Sequence, residues 1–174
     1  ISLVELAGRL RQNRLVLVGE RHTDPVHHRH QLAVIQALHR SGARVAVGME
    51  MFRQESQPAL DRWVAGKTSE KQFRQIYLDN WNYDWSLYAP ILRFARDEGL
   101  PVVGLNVPRS ITGKVARQGF ESLSRQQRGE LEGITCEVDE AYEEFIRRAH
   151  GAHAHGSMSF EYFCEAQLVW DSAM

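Results

Sequence analysis

Three short apolar runs, each rich in β-branched residues and each followed by polar or charged residues, restrict the fold more than any other feature of this chain. They are Leu15-Val16-Leu17-Val18-Gly19, Val45-Ala46-Val47-Gly48-Met49 and Val102-Val103-Gly104-Leu105. Runs of this length and composition suit strands buried on both faces of a sheet. The third follows Pro101, whose missing amide is tolerated at the first position of a strand. Helical patterns separate the runs, and the order strand, helix, strand, helix, strand implies an α/β fold with a parallel sheet flanked by helices.

The helices are legible from their stop signals and periodicity. Ser2 with Glu5 makes a capping box that opens a first helix reaching about Asn13. Leu32, Ile35 and Leu38, closed by Gly42, predict a helix from about 26 to 41. Two short helices are expected between about 56 and 77, and Leu87, Ile91 and Phe94 mark the inner face of another from about 86 to 98. From 109 onward no strand pattern appears. Ser124 and Gln127 form a second capping box, and Val138, Ala141, Tyr142, Phe145, Ile146 and Ala149 make an amphipathic stripe. The expectation is one domain over 1–174 with a helical subdomain at roughly 109–160. The apolar pattern of 160–174 reaches Met174 without a stop residue, so native sequence is expected to continue.

Composition narrows the function classes. With 174 residues and 43% hydrophobic content the chain can bury a sizeable core. Its charges balance to a formal net charge of -1, which leaves no field to attract nucleic acid. No apolar run approaches the roughly 18 residues of a transmembrane segment. Cys136 and Cys164 stand outside CxxC and CxxCH patterns, which indicates neither a zinc ribbon nor covalent haem attachment.

In an open parallel sheet, ligands bind outside the carboxyl ends of the strands, where loops and helix N-termini meet. The three runs lead into Gly19-Glu20-Arg21-His22, Glu50-Met51 and Asn106-Val107-Pro108-Arg109, so all three exits are polar or charged and are expected to converge. Glu20, His22 and Glu50 suit a general base, a divalent-metal ligand group or the wall of a polar pocket. Arg21 or Arg109 would pair their charge, and a salt-bridged cluster that only orders the loops is the structural alternative. Of His27, His28 and His30, at the start of the second helix, His27 is the functional candidate and the others are expected in the solvated first turn. His150, His153 and His155 form a second cluster, either a ligand-reaching loop or a plain polar one. Trp81, Tyr83, Trp85 and Tyr88 concentrate aromatic surface before and within a helix. Most are expected in the core, but a partly exposed aromatic wall beside a polar site suits a flat macrocycle, and tyrosinate is an accepted haem-iron ligand.

Taken together, Gly19-Glu20-Arg21-His22-Thr23-Asp24 with His27-His28, Gly48-Met49-Glu50-Met51-Phe52, Leu105-Asn106-Val107-Pro108-Arg109, and Glu165-Ala166-Gln167 with Trp170-Asp171 and Met174 resemble the ChaN family of iron-regulated bacterial haem-binding proteins. The resemblance spans nearly the whole chain. It implies haem as cofactor and partner, with two haems stacked across a homodimer, a tyrosine on each iron, and propionates met by histidine and lysine. It also implies a place in the bacterial cell envelope, periplasmic or lipid-anchored. Tyr83 and Tyr88 are the leading iron-ligand candidates, with Tyr142 and Tyr162 open; His27, His150 and Arg109 are candidates for the rest of the haem site, and only Lys67, Lys71 and Lys114 offer an ammonium. The wider superfamily is similar to erythromycin esterases, Tiki and TraB proteins, which implies as an alternative a metal-dependent hydrolase built on Glu20, His22 and Glu50. A further histidine motif of that group would lie beyond Met174.

Overall fold

The computed structural model describes residues 2–129, 131, 139–151 and 159–174, without the side chains of 149–151. It is a mixed α/β structure with a two-stranded parallel sheet flanked by helices. The chain divides into two compact units, Ile1–Phe52 with Ser56–Gly104 and Arg53–Glu55 with Leu105–Met174.

The first unit opens with α1 (Leu3–Leu10), started by the Ser2/Glu5 capping box, and α2 (Pro25–Arg40), whose N-cap Asp24 accepts the Val26 amide at 2.8 Å. Strand β1 (Val47–Arg53) is followed by α3 (Gln57–Val64), α4 (Glu70–Asn80), α5 (Trp85–Asp97) and β2 (Val102–Asn106). The two strands pair from their start, where the Val47 amide donates to the Pro101 carbonyl at 2.8 Å. The outer edge of β2 is closed by a side chain. Gln57 donates to the Val102 carbonyl at 2.8 Å and accepts from the Gly104 amide at 3.1 Å, which satisfies two main-chain groups that an edge strand otherwise leaves open.

Two sequence expectations need correction. β1 begins two residues later than expected and continues to Arg53, so Glu50 lies within the strand and shares a face with Gly48 and Phe52 by the period-2 rule. The run 15–19 forms no strand: it has no ladder partner among the described residues, and Leu15 (73% exposed) and Leu17 (84% exposed) face solvent instead of a second layer. Side chains of α2 hold it in place, Gln31 donating to the Val18 carbonyl at 3.3 Å and His27 Nδ1 accepting the Arg21 amide at 2.8 Å.

The core of this unit is aromatic. Phe52, Trp63, Phe73, Tyr77, Trp85 and Tyr88 are all buried, with Trp63 and Phe73 stacked at 4.3 Å and Tyr77 edge-on to Trp85 at 5.2 Å. The Trp63 indole donates to the Leu92 carbonyl at 2.9 Å, which satisfies its one buried polar atom and fixes α3 on α5.

In the second unit α6 (Arg109–Gln118) packs on α9 (Phe160–Ala173), accompanied by α7 (Arg125–Gly129) and α8 (Glu140–Gly151). Val107, Ile111, Val115, Leu123, Leu131, Ala166 and Val169 form its core. The Ser124/Gln127 capping box is present, with backbone-to-side-chain bonds of 3.1 and 3.2 Å in the two directions. Of the α8 stripe, Ile146 is buried and Phe145 is exposed, whereas Val138 and the side chain of Ala149 lie outside the described residues. No helix of the described residues is long and apolar enough to cross a membrane.

Gly119 ends α6 at φ 79° and ψ 163°, and a Cβ there would sit 2.8 Å from Tyr162 Cε1 and 3.2 Å from Glu165 Oε2 on α9. Glu165 Oε2 also accepts the Phe120 amide at 2.7 Å, so it cannot move away without breaking that bond. Gly119→Ala should therefore lower stability by about 1–3 kcal/mol through strain and overlap, measurable as a lower chemical-denaturation midpoint.

Candidate functional site

The first unit gathers its polar chemistry around one carboxylate. Glu20 leaves the irregular segment after Gly19 with its side chain only 6% exposed, and donors from three parts of the chain surround it. Tyr88 of α5 donates its hydroxyl to Oε1 at 2.5 Å, and His22 Nδ1 reaches the same oxygen at 2.8 Å. His28 Nδ1, on α2, lies 2.9 Å from Oε2. The His28 contact is short but poorly aligned, and the better-aligned acceptor for that nitrogen is Gln31 Oε1 at 3.2 Å. His28 Nε2 then reaches the His22 carbonyl at 3.0 Å, which ties α2 to the backbone of the loop.

His22 is the outward-facing member, with its side chain 33% exposed. Its ring leans edge-on against Trp81 at 5.1 Å and against Tyr83 at 4.9 Å. Nε2 faces Glu50 Oε1 at 3.6 Å, beyond hydrogen-bond range. Glu20 thus meets one nitrogen of this imidazole and Glu50 faces the other. Among the described residues no group of three His, Cys, Asp or Glu side chains is arranged to hold a metal ion.

Burial separates the tyrosines. Burial, reinforced by the hydrogen bond to Glu20, pushes the Tyr88 phenol far above the usual tyrosine range. Tyr77 is pushed up as well, by burial first and then by the charges of Asp84 and Glu20; its hydroxyl donates to the Tyr83 carbonyl at 3.0 Å. Tyr83 itself is only partly buried.

The structure brings Glu20, His22 and Glu50 together, with Tyr88 and Tyr83 beside them. Among the histidines the expectation is reversed. His28 enters the cluster at 3% exposure, whereas His27 is partly exposed and accepts the Arg21 amide while lying 3.6 Å from Asp24. A signal for His28 was present: it lies four and seven residues before Leu32 and Ile35, on their face of the helix. Asn106 and Arg109 belong to the second unit, where Asn106 is buried and Arg109 opens α6. Tyr142, also there, donates to Asp171 Oδ2 at 2.9 Å. The side chain of His150 and the whole of His153 and His155 lie outside the described residues.

A helix-flanked parallel sheet with a buried carboxylate, two histidines and an aromatic wall defines an α/β protein with a compact polar cluster. Residues 6–174 match the family described as "Haem-binding uptake, Tiki superfamily, ChaN", and the chain belongs to that family. It is also similar to Protein RETICULATA-RELATED 5, chloroplastic, of Arabidopsis thaliana, at 23% identity over 122 residues that cover 66% of this chain and 16% of that protein. The chain thus spans a small fraction of that relative's length. No solved structure matches it.

Removing the Tyr88 hydroxyl has a pH signature. The phenol's folded-state pKa is raised, so the bond favours the fold fully below the ordinary tyrosine pKa of about 10 and less as pH climbs from there, because only the unfolded phenol ionises. Tyr88→Phe should cost about 1–3 kcal/mol near neutral pH, and wild type should lose stability more steeply than the variant above about pH 10 in denaturation curves.

Proposed function

We propose that the protein binds haem against the Tyr83–His22 side of its first unit and acts in acquiring or handling haem iron, as a homodimer in the bacterial cell envelope. Membership of a family described as haem-binding supports the ligand class. The observation that carries the location is Tyr83. An iron-bound tyrosine must give up its proton and reach the metal. Tyr88 is poorly suited on both counts, being buried, committed to Glu20 and held in its protonated form. Tyr83 suits the role: its ring is partly accessible, rests on His22 and Trp81, and its backbone is pinned by Tyr77. His22 adds a partly exposed imidazole against the Tyr83 ring. When bound, haem would supply the iron centre, and the chain's part is to orient and shelter it.

A second reading, hydrolysis of an ester or peptide bond, is favoured by the 2.8 Å contact between the buried Glu20 and the outward His22, an arrangement suited to a general base. It would draw on His22 and Glu50 as the groups facing substrate.

Adding haem to the purified protein while following absorbance and molecular mass tests the leading reading. A Soret shift with a rise to dimer mass is expected, and Tyr83→Phe should weaken binding on the order of tenfold or more, about 1.4 kcal/mol, a larger loss than in Tyr88→Phe. Absence of any spectral change at micromolar haem would sink the proposal, and turnover of an ester or peptide panel lost in Glu20→Gln would then support hydrolysis.

A further inference from the structure

Glu20 Oε1 receives the Tyr88 hydroxyl and His22 Nδ1 together, and Oε2 has His28 Nδ1 against it. An ionised carboxylate is an acceptor only. With Tyr88 donating to it, the hydrogen between Glu20 and His22 must come from the imidazole. We infer that Tyr88 is a positioning residue: it holds Glu20 as the acceptor for His22 Nδ1–H and so turns the unprotonated Nε2 of His22 toward the ligand side. The inference rests on reading this cluster as the ligand site, and it adds which atom of that site meets the ligand.

The geometry supports each step. The Tyr88 ring is wholly buried and packs on the His28 ring at 4.5 Å, so its hydroxyl has one direction in which to point. Burial keeps that hydroxyl protonated and therefore a donor. His28 has the Gln31 and Glu20 oxygens at Nδ1 and the His22 carbonyl at Nε2, and when its single ring hydrogen lies on Nε2 it ties α2 to the loop that carries His22. Trp81 and Tyr83 limit rotation of the His22 ring. Glu50, 3.6 Å from Nε2, is too far to take that nitrogen into a hydrogen bond. Which imidazole nitrogen carries the proton is set by the bond the other makes. The group presented is therefore a neutral Nε2 lone pair, which accepts from a hydroxyl, an amide N–H or a water on the ligand.

The test uses the ligand-free protein labelled with nitrogen-15 in histidine, observed by long-range proton–nitrogen correlation at about pH 8.5, above the ordinary imidazole range. The expected result is His22 protonated at Nδ1 and bare at Nε2, the reverse of the preference of free histidine. In Tyr88→Phe this signature should shift toward the free-histidine mixture while the remaining amide spectrum stays folded. Glu50→Gln should leave it in place. His22 protonated at Nε2 or at both nitrogens in the wild type would overturn the inference whether or not any variant folds, and so would an unchanged signature in a folded Tyr88→Phe. The haem titration fails or succeeds independently, since the tautomer is read without ligand.

Discussion

The first unit depends on keeping the Glu20 carboxylate satisfied away from water. Taking a carboxylate out of solvent costs several kcal/mol unless donors replace the lost hydration. Here the donors come from α5 and the loop itself, Tyr88 and His22 both reaching Oε1, while His28 of α2 lies 2.9 Å from Oε2 without a hydrogen bond to it. One acid therefore fixes where two helices and an irregular segment stand relative to each other. The aromatic core beneath supplies apolar burial, which is non-directional, whereas the carboxylate supplies direction. This division explains why a segment with no strand ladder holds a defined course next to the site.

How much of this was legible follows from the range of each interaction. Caps and periodicity act over three to four residues, so Ser2/Glu5, Ser124/Gln127 and the Leu32–Ile35–Leu38 face were readable and appear as read. The apolar run 15–19 was misread because composition reports a capacity for pairing, and pairing is a property of the neighbour. The same limit moved β1: its ladder extends through Glu50 to Arg53, which apolar character alone would not continue. His28 was missed for a different reason. Its helical face was available, but a first-turn histidine was assigned to solvent by position, and the acid that draws it inward sits eight residues earlier in the chain.

The link between Tyr88 and Glu20, 68 residues apart, had no local signal at all. The sequence offered an aromatic cluster and a polar strand exit as separate features. The structure joins them: Tyr88 donates to Glu20, and Glu20 stands behind His22.

Gln57 shows the same logic without charge. Its amide meets the Val102 carbonyl and the Gly104 amide, two groups on one side of β2, and so stands in for a neighbouring strand. The run 15–19 receives a looser substitute, since Gln31 holds the Val18 carbonyl and His27 the Arg21 amide just after the run, while its leucines stay exposed. Side-chain anchoring at both places leaves main-chain geometry independent of sheet extension. None of the carboxylate cluster's named hydrogen bonds runs through a ladder along that segment.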